Sequence, residues 1–160
     1  MNAVQRSWSV VALVPFVVGG CASPALVGAW KSNIQFKDGA FAEVKDLEFL
    51  YVFNAGGTMT ESSNYDGAPP VPPAYGVWKS AGGSVFEAKY VFYTTKPPEK
   101  AEEIAKGGWG PAGYGELVER ITVSEDGKGF GSEIDLVLYD QKGKMVEGGG
   151  RAVGQGVRIR

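Results

Sequence analysis

Short apolar–polar alternations separated by glycine-containing turns are the feature that most constrains how this chain can fold. In the clearest of them, residues 84–95, four apolar side chains stand at every second position from 86 to 92, with Glu87 and Lys89 among the residues between them. Because successive side chains of a β-strand point to opposite faces, this pattern predicts a strand with one buried face. Asn54-Ala55-Gly56-Gly57 is typical of a hairpin turn, since glycine adopts the positive φ that such turns need. The apolar face of the strand at 84–95 comprises Phe86, Ala88, Tyr90 and Phe92.

Segments of this kind recur at hairpin spacing along the chain. About eight of them predict an all-β antiparallel fold, either a sandwich or a barrel. Glycines crowd the closing segment at 148–156, and in a strand they often mark bends or close backbone contacts, so we favour a single closed barrel. The predicted strands cover residues 26–32, 41–53, 58–62, 74–80, 84–95, 116–124, 130–139 and 144–159.

Two stretches interrupt the series. Residues 63–73 form a proline-rich loop, and residues 96–115 form a longer one in which 97–106 could make a short helix. Residues 107–114 are predicted as a mobile loop that carries Trp109 and Tyr114. Exposed aromatic side chains are costly unless they cover something. The loop is therefore a lid over the barrel mouth, a tip that meets a membrane or partner, or a segment that packs on the barrel.

The first twenty residues have the organisation of a secretory signal peptide. Arg6 is their one charged residue, the stretch from Trp8 to Val18 is nearly all apolar, and two glycines follow. The apolar stretch is too short to span a bilayer, which takes about 20 residues. The predicted organisation is a signal peptide at 1–20, a short tether at 21–25 and one domain at 26–160.

The segment Val18-Gly19-Gly20-Cys21 resembles the bacterial lipobox. The resemblance implies that Cys21 becomes the lipid-modified N-terminus, with two or three acyl chains that anchor the protein stably on a membrane. Ala22 rather than aspartate follows, which implies the outer membrane if the source is Gram-negative. The alternative is an ordinary secreted protein with a stray cysteine. In both cases the protein is expected outside the cytoplasm, which would be the periplasm in such a cell.

Composition excludes several functions. The chain has no histidine, which rules out Ser-His-Asp and Cys-His catalysis and the common zinc sites that contain histidine. Only Arg6 of the 16 basic residues lies in the first twenty, so 15 basic and 18 acidic side chains remain, a net charge of −3. Such a mild net charge, without a run of basic residues, does not suggest nucleic-acid binding. We expect no cofactor, and no disulfide can form within a chain that has one cysteine.

Several motifs resemble those of a family of small bacterial secreted β-barrels with lipocalin-like (calycin-like) or allene-oxide-cyclase-like architecture. They are Gly28-Ala29-Trp30, the segment from Phe53 to Glu61, the segment from Gly76 to Gly83, and Ala152-Val153-Gly154-Gln155. Together they span most of residues 26–156. Structural relatives of this family include ligand carriers and cyclases, so the resemblance implies a fold and leaves the function open.

The candidate site is the barrel interior. Its inward-facing aromatic residues either fill the core or leave a cavity of a few hundred Å³. We predict these ligand-binding residues: Trp30, Tyr51, Phe53, Glu61, Trp78, Tyr90, Phe92 and Trp109. Phe86 is predicted to face inward beside them.

Glu61 is a weak candidate for a catalytic residue, because alternation places it on the same face as Met59. Its carboxylate could bind a ligand amine, hold a structural arginine such as Arg151, or act as a general base. Alternatively it lies in water at a strand end. Glu133 and Asp135 are predicted on a solvated outer face. No metal site is predicted, because the segments 126–129 and 140–143 lack the spaced acids of calcium loops.

Three functions stay open on the sequence alone. The first is an anchored barrel that binds a small hydrophobic or amphipathic ligand. The second is a barrel-type cyclase or isomerase, which needs little more than a pocket that holds a reactive conformer. The third is a structural or partner-binding envelope lipoprotein with a filled barrel. The oligomeric state is not predicted.

Overall fold

The chain forms a closed antiparallel β-barrel of eight strands, which confirms the predicted fold class. The computed structural model describes residues 24–65, 72–104 and 107–160, so the predictions for the signal peptide and Cys21 lie outside the described residues. The strands are β1 (Gly28–Phe36), β2 (Leu47–Phe53), β3 (Thr58–Ser63), β4 (Ala74–Gly82), β5 (Val85–Lys96), β6 (Gly110–Val123), β7 (Gly129–Asp140) and β8 (Met145–Arg158), and one helical turn, α1 (Ala101–Ile104), precedes β6.

Each strand pairs with the next, and β8 pairs with β1 to close the barrel. The registers are regular over most of the sheet: Trp30 lies opposite Tyr51 on one side and Arg158 on the other. Three shifts interrupt the pairing, and each lies near a strand end or a glycine, as at Ser80/Gly82. Closure removes the exposed sheet edges that an open sandwich would leave.

Two element boundaries differ from the sequence prediction. Residues 41–46 were predicted as the start of a strand but form turns, because Gly39 and Asp46 adopt positive φ and reverse the chain there. Tyr114 was predicted in a loop but belongs to β6, since the β5–β6 pairing continues to Lys96 opposite Gly110. The predicted helix at 97–106 is a single turn among the described residues.

Burial follows the predicted alternation. In β2, the side chains of Leu47, Phe49, Tyr51 and Phe53 are buried, whereas the residues between them are half-buried or exposed. The buried side chains form one apolar core inside the barrel. No described helix has the length and hydropathy to cross a membrane. Core residues from other strands include Trp30, Met59, Trp78, Phe86, Tyr90, Ile121, Phe130 and Ile134.

Glycines in β6 and β8 make room for inward aromatic rings. A Cβ on Gly156 would collide with the ring of Phe130, and one on Gly115 would collide with the ring of Phe92. This is the close approach that the glycine-rich closing segment suggested. These two glycines therefore let a small barrel hold large rings on its inner face.

One end of the barrel is closed by the residues that precede β1. Trp30 Nε1 donates a hydrogen bond of 2.8 Å to the carbonyl of Leu26, which is fully buried. The guanidinium of Arg158 lies 4.2 Å from the centroid of the Trp30 ring and donates to the carbonyls of Ala25 and Val27. The described chain therefore enters the fold at this end, which we call the closed end.

Candidate functional site: a cavity in the open half

The opposite end of the barrel, which we call the open half, holds a cavity of about 330 Å³. It lies where β1, β3 and β5 end and where β2, β4 and β6 begin. Most of its wall is apolar, and the few polar groups come from one carboxyl and several hydroxyls. The lining residues are Phe36, Phe41, Leu47, Phe49, Glu61, Ser63, Tyr65, Pro72, Phe92, Thr94, Thr95, Trp109, Leu117 and Leu136.

The segment between β1 and β2 forms one side of the cavity mouth. Phe41 packs against Phe36 and Tyr65, with ring centroids 5.4 and 5.5 Å apart. An ion pair of 2.7 Å between Asp38 and Arg151 ties this segment to β8. The hydrogen bond and charge of Arg151 lower the pKa of Asp38.

Glu61 lies in the wall of this cavity. It alternates with Met59 on the inner face of β3, as predicted, and is 6% exposed. Among the described residues, its Oε1 atom has no hydrogen-bond partner. Burial, together with the nearby carboxyl of Glu119, raises the pKa of Glu61 to about 8. The side chain is therefore mostly protonated at neutral pH. Because it is buried, the alternative in which it lies in water at a strand end is wrong.

Glu119 is a second buried carboxyl, which the sequence interpretation missed. It is fully buried on β6, where Tyr90 donates a hydrogen bond of 2.8 Å to one oxygen and Tyr51 a longer one of 3.4 Å to the other. Burial raises the pKa of Glu119, and the hydroxyls of Ser132 and the two tyrosines partly offset that rise. Alternation was the signal that could have found it, because Glu119 stands two residues from both Leu117 and Ile121.

These four residues form a polar layer across the middle of the barrel. The polar layer comprises Tyr51, Glu61, Tyr90 and Glu119. Burial and the charge of Glu119 raise the pKa values of both tyrosines well above the usual range, so the phenols stay protonated and act as hydrogen-bond donors. The layer separates the cavity from a packed half on the other side.

The packed half holds three of the aromatic residues predicted to bind a ligand, namely Trp30, Phe53 and Trp78. Trp30 packs on Phe130 with ring centroids 5.2 Å apart, and Trp78 packs on Phe53 and Phe86 at 6.3 and 5.7 Å. Of the eight predicted ligand-binding residues, three line the cavity: Glu61, Phe92 and Trp109. The five others, Trp30, Tyr51, Phe53, Trp78 and Tyr90, lie in the packed half or the polar layer.

The remaining sequence predictions have simple outcomes. Arg151 does not hold Glu61, because it pairs with Asp38 on the exterior, and that alternative is wrong. Glu133 and Asp135 are exposed, as predicted. The segments at 126–129 and 140–143 lie at the turns on either side of β7, and no group of three potential metal ligands occurs in the part of the chain that the structure describes.

Comparisons of the sequence with protein-family models and with curated proteins find no match. The residues of the cavity wall indicate what the cavity can bind. Its wall combines an apolar surface with one unpaired carboxyl group, and no lysine or arginine is buried among the described residues. Such a site can hold a molecule with an apolar body and one polar group.

Proposed function

We propose that this protein is a membrane-anchored, extracytoplasmic β-barrel that binds a small hydrophobic or amphipathic molecule in its open half. The observation that supports this proposal is the cavity of about 330 Å³, whose wall is largely apolar and aromatic. Pockets for small molecules start at about 300 Å³ and are lined mainly by apolar residues with a few polar groups. The cavity thus suits a ligand at the small end of that range.

The anchor is the second part of the proposal. The segment Val18-Gly19-Gly20-Cys21 supports lipid attachment at Cys21. The described chain starts at Pro24 and enters the barrel at its closed end, where Arg158 holds the carbonyls of Ala25 and Val27. A short tether there would leave the cavity mouth on the side away from the anchoring membrane. We therefore propose that Trp109 contacts the ligand rather than the anchoring bilayer.

Metabolic labelling with an alkyne-modified fatty acid tests the anchor. The protein expressed in a bacterial host should become labelled and partition with membranes, whereas a Cys21→Ser variant should stay unlabelled and unprocessed. Label on the Cys21→Ser variant, or none on the wild type in a host that labels its own lipoproteins, would contradict the proposed anchor.

Intrinsic fluorescence tests the ligand proposal. Trp109 lines the cavity, whereas Trp30 and Trp78 lie in the packed half, so a bound molecule should change the emission of Trp109. A Trp109→Phe variant should lose most of the signal yet still bind when the heat of binding is measured. No binding across a panel of medium-chain alcohols, amines, fatty acids, isoprenoids and small aromatic compounds would contradict the proposal.

A barrel-type isomerase or cyclase is the second candidate, and the buried carboxyl at Glu61 favours it. A group whose pKa is raised to about 8 can exchange a proton with a bound molecule near neutral pH. Turnover of a bound compound, lost in Glu61→Gln while its binding persists, would support this candidate. Unchanged turnover in that variant would remove Glu61 from the chemistry.

A further inference from the structure

The unpaired carboxyl of Glu61 narrows the ligand class, and the inference rests on the proposed ligand-binding function. We propose that the cavity selects amphipathic amines, with the ammonium group seated against Glu61 and the apolar body against the aromatic wall. Glu61 is buried, borders the cavity and has an oxygen without a partner among the described residues. A buried polar atom of this kind costs free energy until a ligand satisfies it.

The charge around Glu61 favours a cation over other polar groups. The titratable side chains in its layer are Glu119 on β6, Tyr51 on β2 and Tyr90 on β5. The two phenols already donate to Glu119, and none of the buried side chains described is basic. An ammonium group would supply the missing positive charge and let Glu61 ionise in the bound state, since a buried carboxylate needs such a partner.

The cavity wall favours a cation as well. Phe49, Phe92 and Trp109 line the space beside Glu61. The faces of aromatic rings attract a cation that is shielded from water. A fatty acid would instead have to bury its carboxylate beside the two carboxyl groups of Glu61 and Glu119 with no buried basic side chain, among those described, to pair with it, which costs free energy.

Binding of an amine has a defined proton balance. Because burial raises the pKa of Glu61 to about 8, the free site is mostly protonated at pH 7. An ammonium ion that binds to the carboxylate must displace that proton, which passes to the buffer. The ligand keeps its own proton, and no bond to carbon is made or broken. Binding at pH 7 should therefore release close to one proton per molecule bound.

Three probes that share one tail test the selectivity: octylamine, octanol and octanoate. We expect octylamine to bind the wild-type protein about tenfold or more tightly than octanol, and octanoate to bind more weakly than octanol. Calorimetry at pH 7 in two buffers of different ionisation enthalpy should show proton release with octylamine but not with octanol. This measurement needs no variant, so it does not depend on whether a substituted protein folds.

Glu61→Gln and Glu133→Gln form the matched variants, because Glu133 lies on the exposed outer face. Glu61→Gln should reduce octylamine binding to the level of octanol and abolish proton release, whereas Glu133→Gln should behave as wild type. Octanol that binds as tightly as octylamine would overturn the amine proposal and leave the ligand-binding proposal intact. Binding of none of the three probes would contradict both.

Discussion

The two halves of this barrel are built from the same strands but differ in what lies at their ends. In the packed half, Trp30 and Phe130 meet with ring centroids 5.2 Å apart, and Leu26, whose carbonyl accepts a hydrogen bond from Trp30, is fully buried. The open half also carries inward aromatic residues, among them Phe49 and Phe92, yet a cavity of about 330 Å³ remains. Among the described residues the difference is thus one of closure, because the segment before β1 closes one end, whereas the residues at the other end surround a cavity.

The polar layer lies where the two halves meet. Glu119 is satisfied by the hydroxyls of Tyr51 and Tyr90, whereas Glu61 keeps an oxygen without a described partner on the cavity side. A fully hydrogen-bonded buried group supports the fold, whereas an unsatisfied one costs free energy that a bound ligand can recover. We therefore propose that Glu119 contributes to stability and that Glu61 contributes to ligand binding.

The largest expected difference between the halves concerns deletion of a ring. Phe53→Ala should lower the free energy of unfolding by about 3–5 kcal/mol, because Phe53 packs between Tyr51 and Trp78. Phe49→Ala should cost distinctly less, since one side of that ring already borders the cavity and lacks packing partners. Urea denaturation of both variants measures the difference, and equal losses would contradict the division into two halves.

The second prediction concerns pH. The pKa of Glu61 is about 8 in the folded protein and near 4.5 in the unfolded chain, so the folded state holds more protons between these values. Stability should therefore be greatest below about pH 4.5 as far as Glu61 is concerned, and fall by a few kcal/mol as pH rises through about 8. Glu119 contributes in the same direction, because burial also raises its pKa.

Glu61→Gln should flatten this decline, and the variant should be more stable than the wild type at pH 9. Glu133→Gln, which alters an exposed carboxylate, should keep the wild-type slope. Free energies of unfolding, measured by urea denaturation between pH 5 and pH 9, test whether Glu61 causes the decline. A wild-type protein whose stability rises over this range would show that Glu61 is ionised in the fold.

The third prediction concerns substitutions that enlarge a side chain on β6. Ile121→Trp should cost about 1–3 kcal/mol or more, because Ile121 is fully buried in the packed half and a larger side chain has no space there. Leu117→Trp, two residues away on the same strand, can extend into the cavity and should change stability much less. It should instead abolish octanol binding. A Leu117→Trp variant that binds octanol as well as wild type would place the ligand elsewhere.

The smallest expected difference is between two arginines of β8. Arg158 lies over the Trp30 ring and donates to the carbonyls of Val27 and Gly127, so Arg158→Ala should lower the melting temperature clearly. Arg151 pairs with Asp38 on the exposed rim, where water screens the interaction, and Arg151→Ala should shift the melting temperature little. Thermal unfolding followed by circular dichroism compares the two variants. A larger shift for Arg151→Ala would contradict the expectation that the contacts of Arg158 at the closed end stabilise the fold more than the ion pair of Arg151.

The sequence predicted the strands, the closure and the inner face, because alternation and glycine turns are local signals. It did not predict which inward residues border space. Tyr51 and Phe49 have the same alternation on β2, yet only Phe49 reaches the cavity. The alternation that placed Glu61 on the inner face would also have placed Glu119 there, since both alternate with buried apolar residues. The turn at 41–46 was not foreseen, since its apolar residues Phe41 and Val44 resemble those of a strand.

Three indole N–H groups offer the most direct test of the account, because they lie in different parts of the barrel. Those of Trp30 and Trp78 donate to carbonyls in the packed half, at 2.8 and 3.0 Å, whereas Trp109 lines the cavity. In a ¹⁵N–¹H NMR titration with octylamine, we expect the Trp109 indole signal to shift and those of Trp30 and Trp78 to stay in place. A shift at Trp30 or Trp78 with Trp109 unchanged, or no shift at any of the three, would contradict binding in the open half.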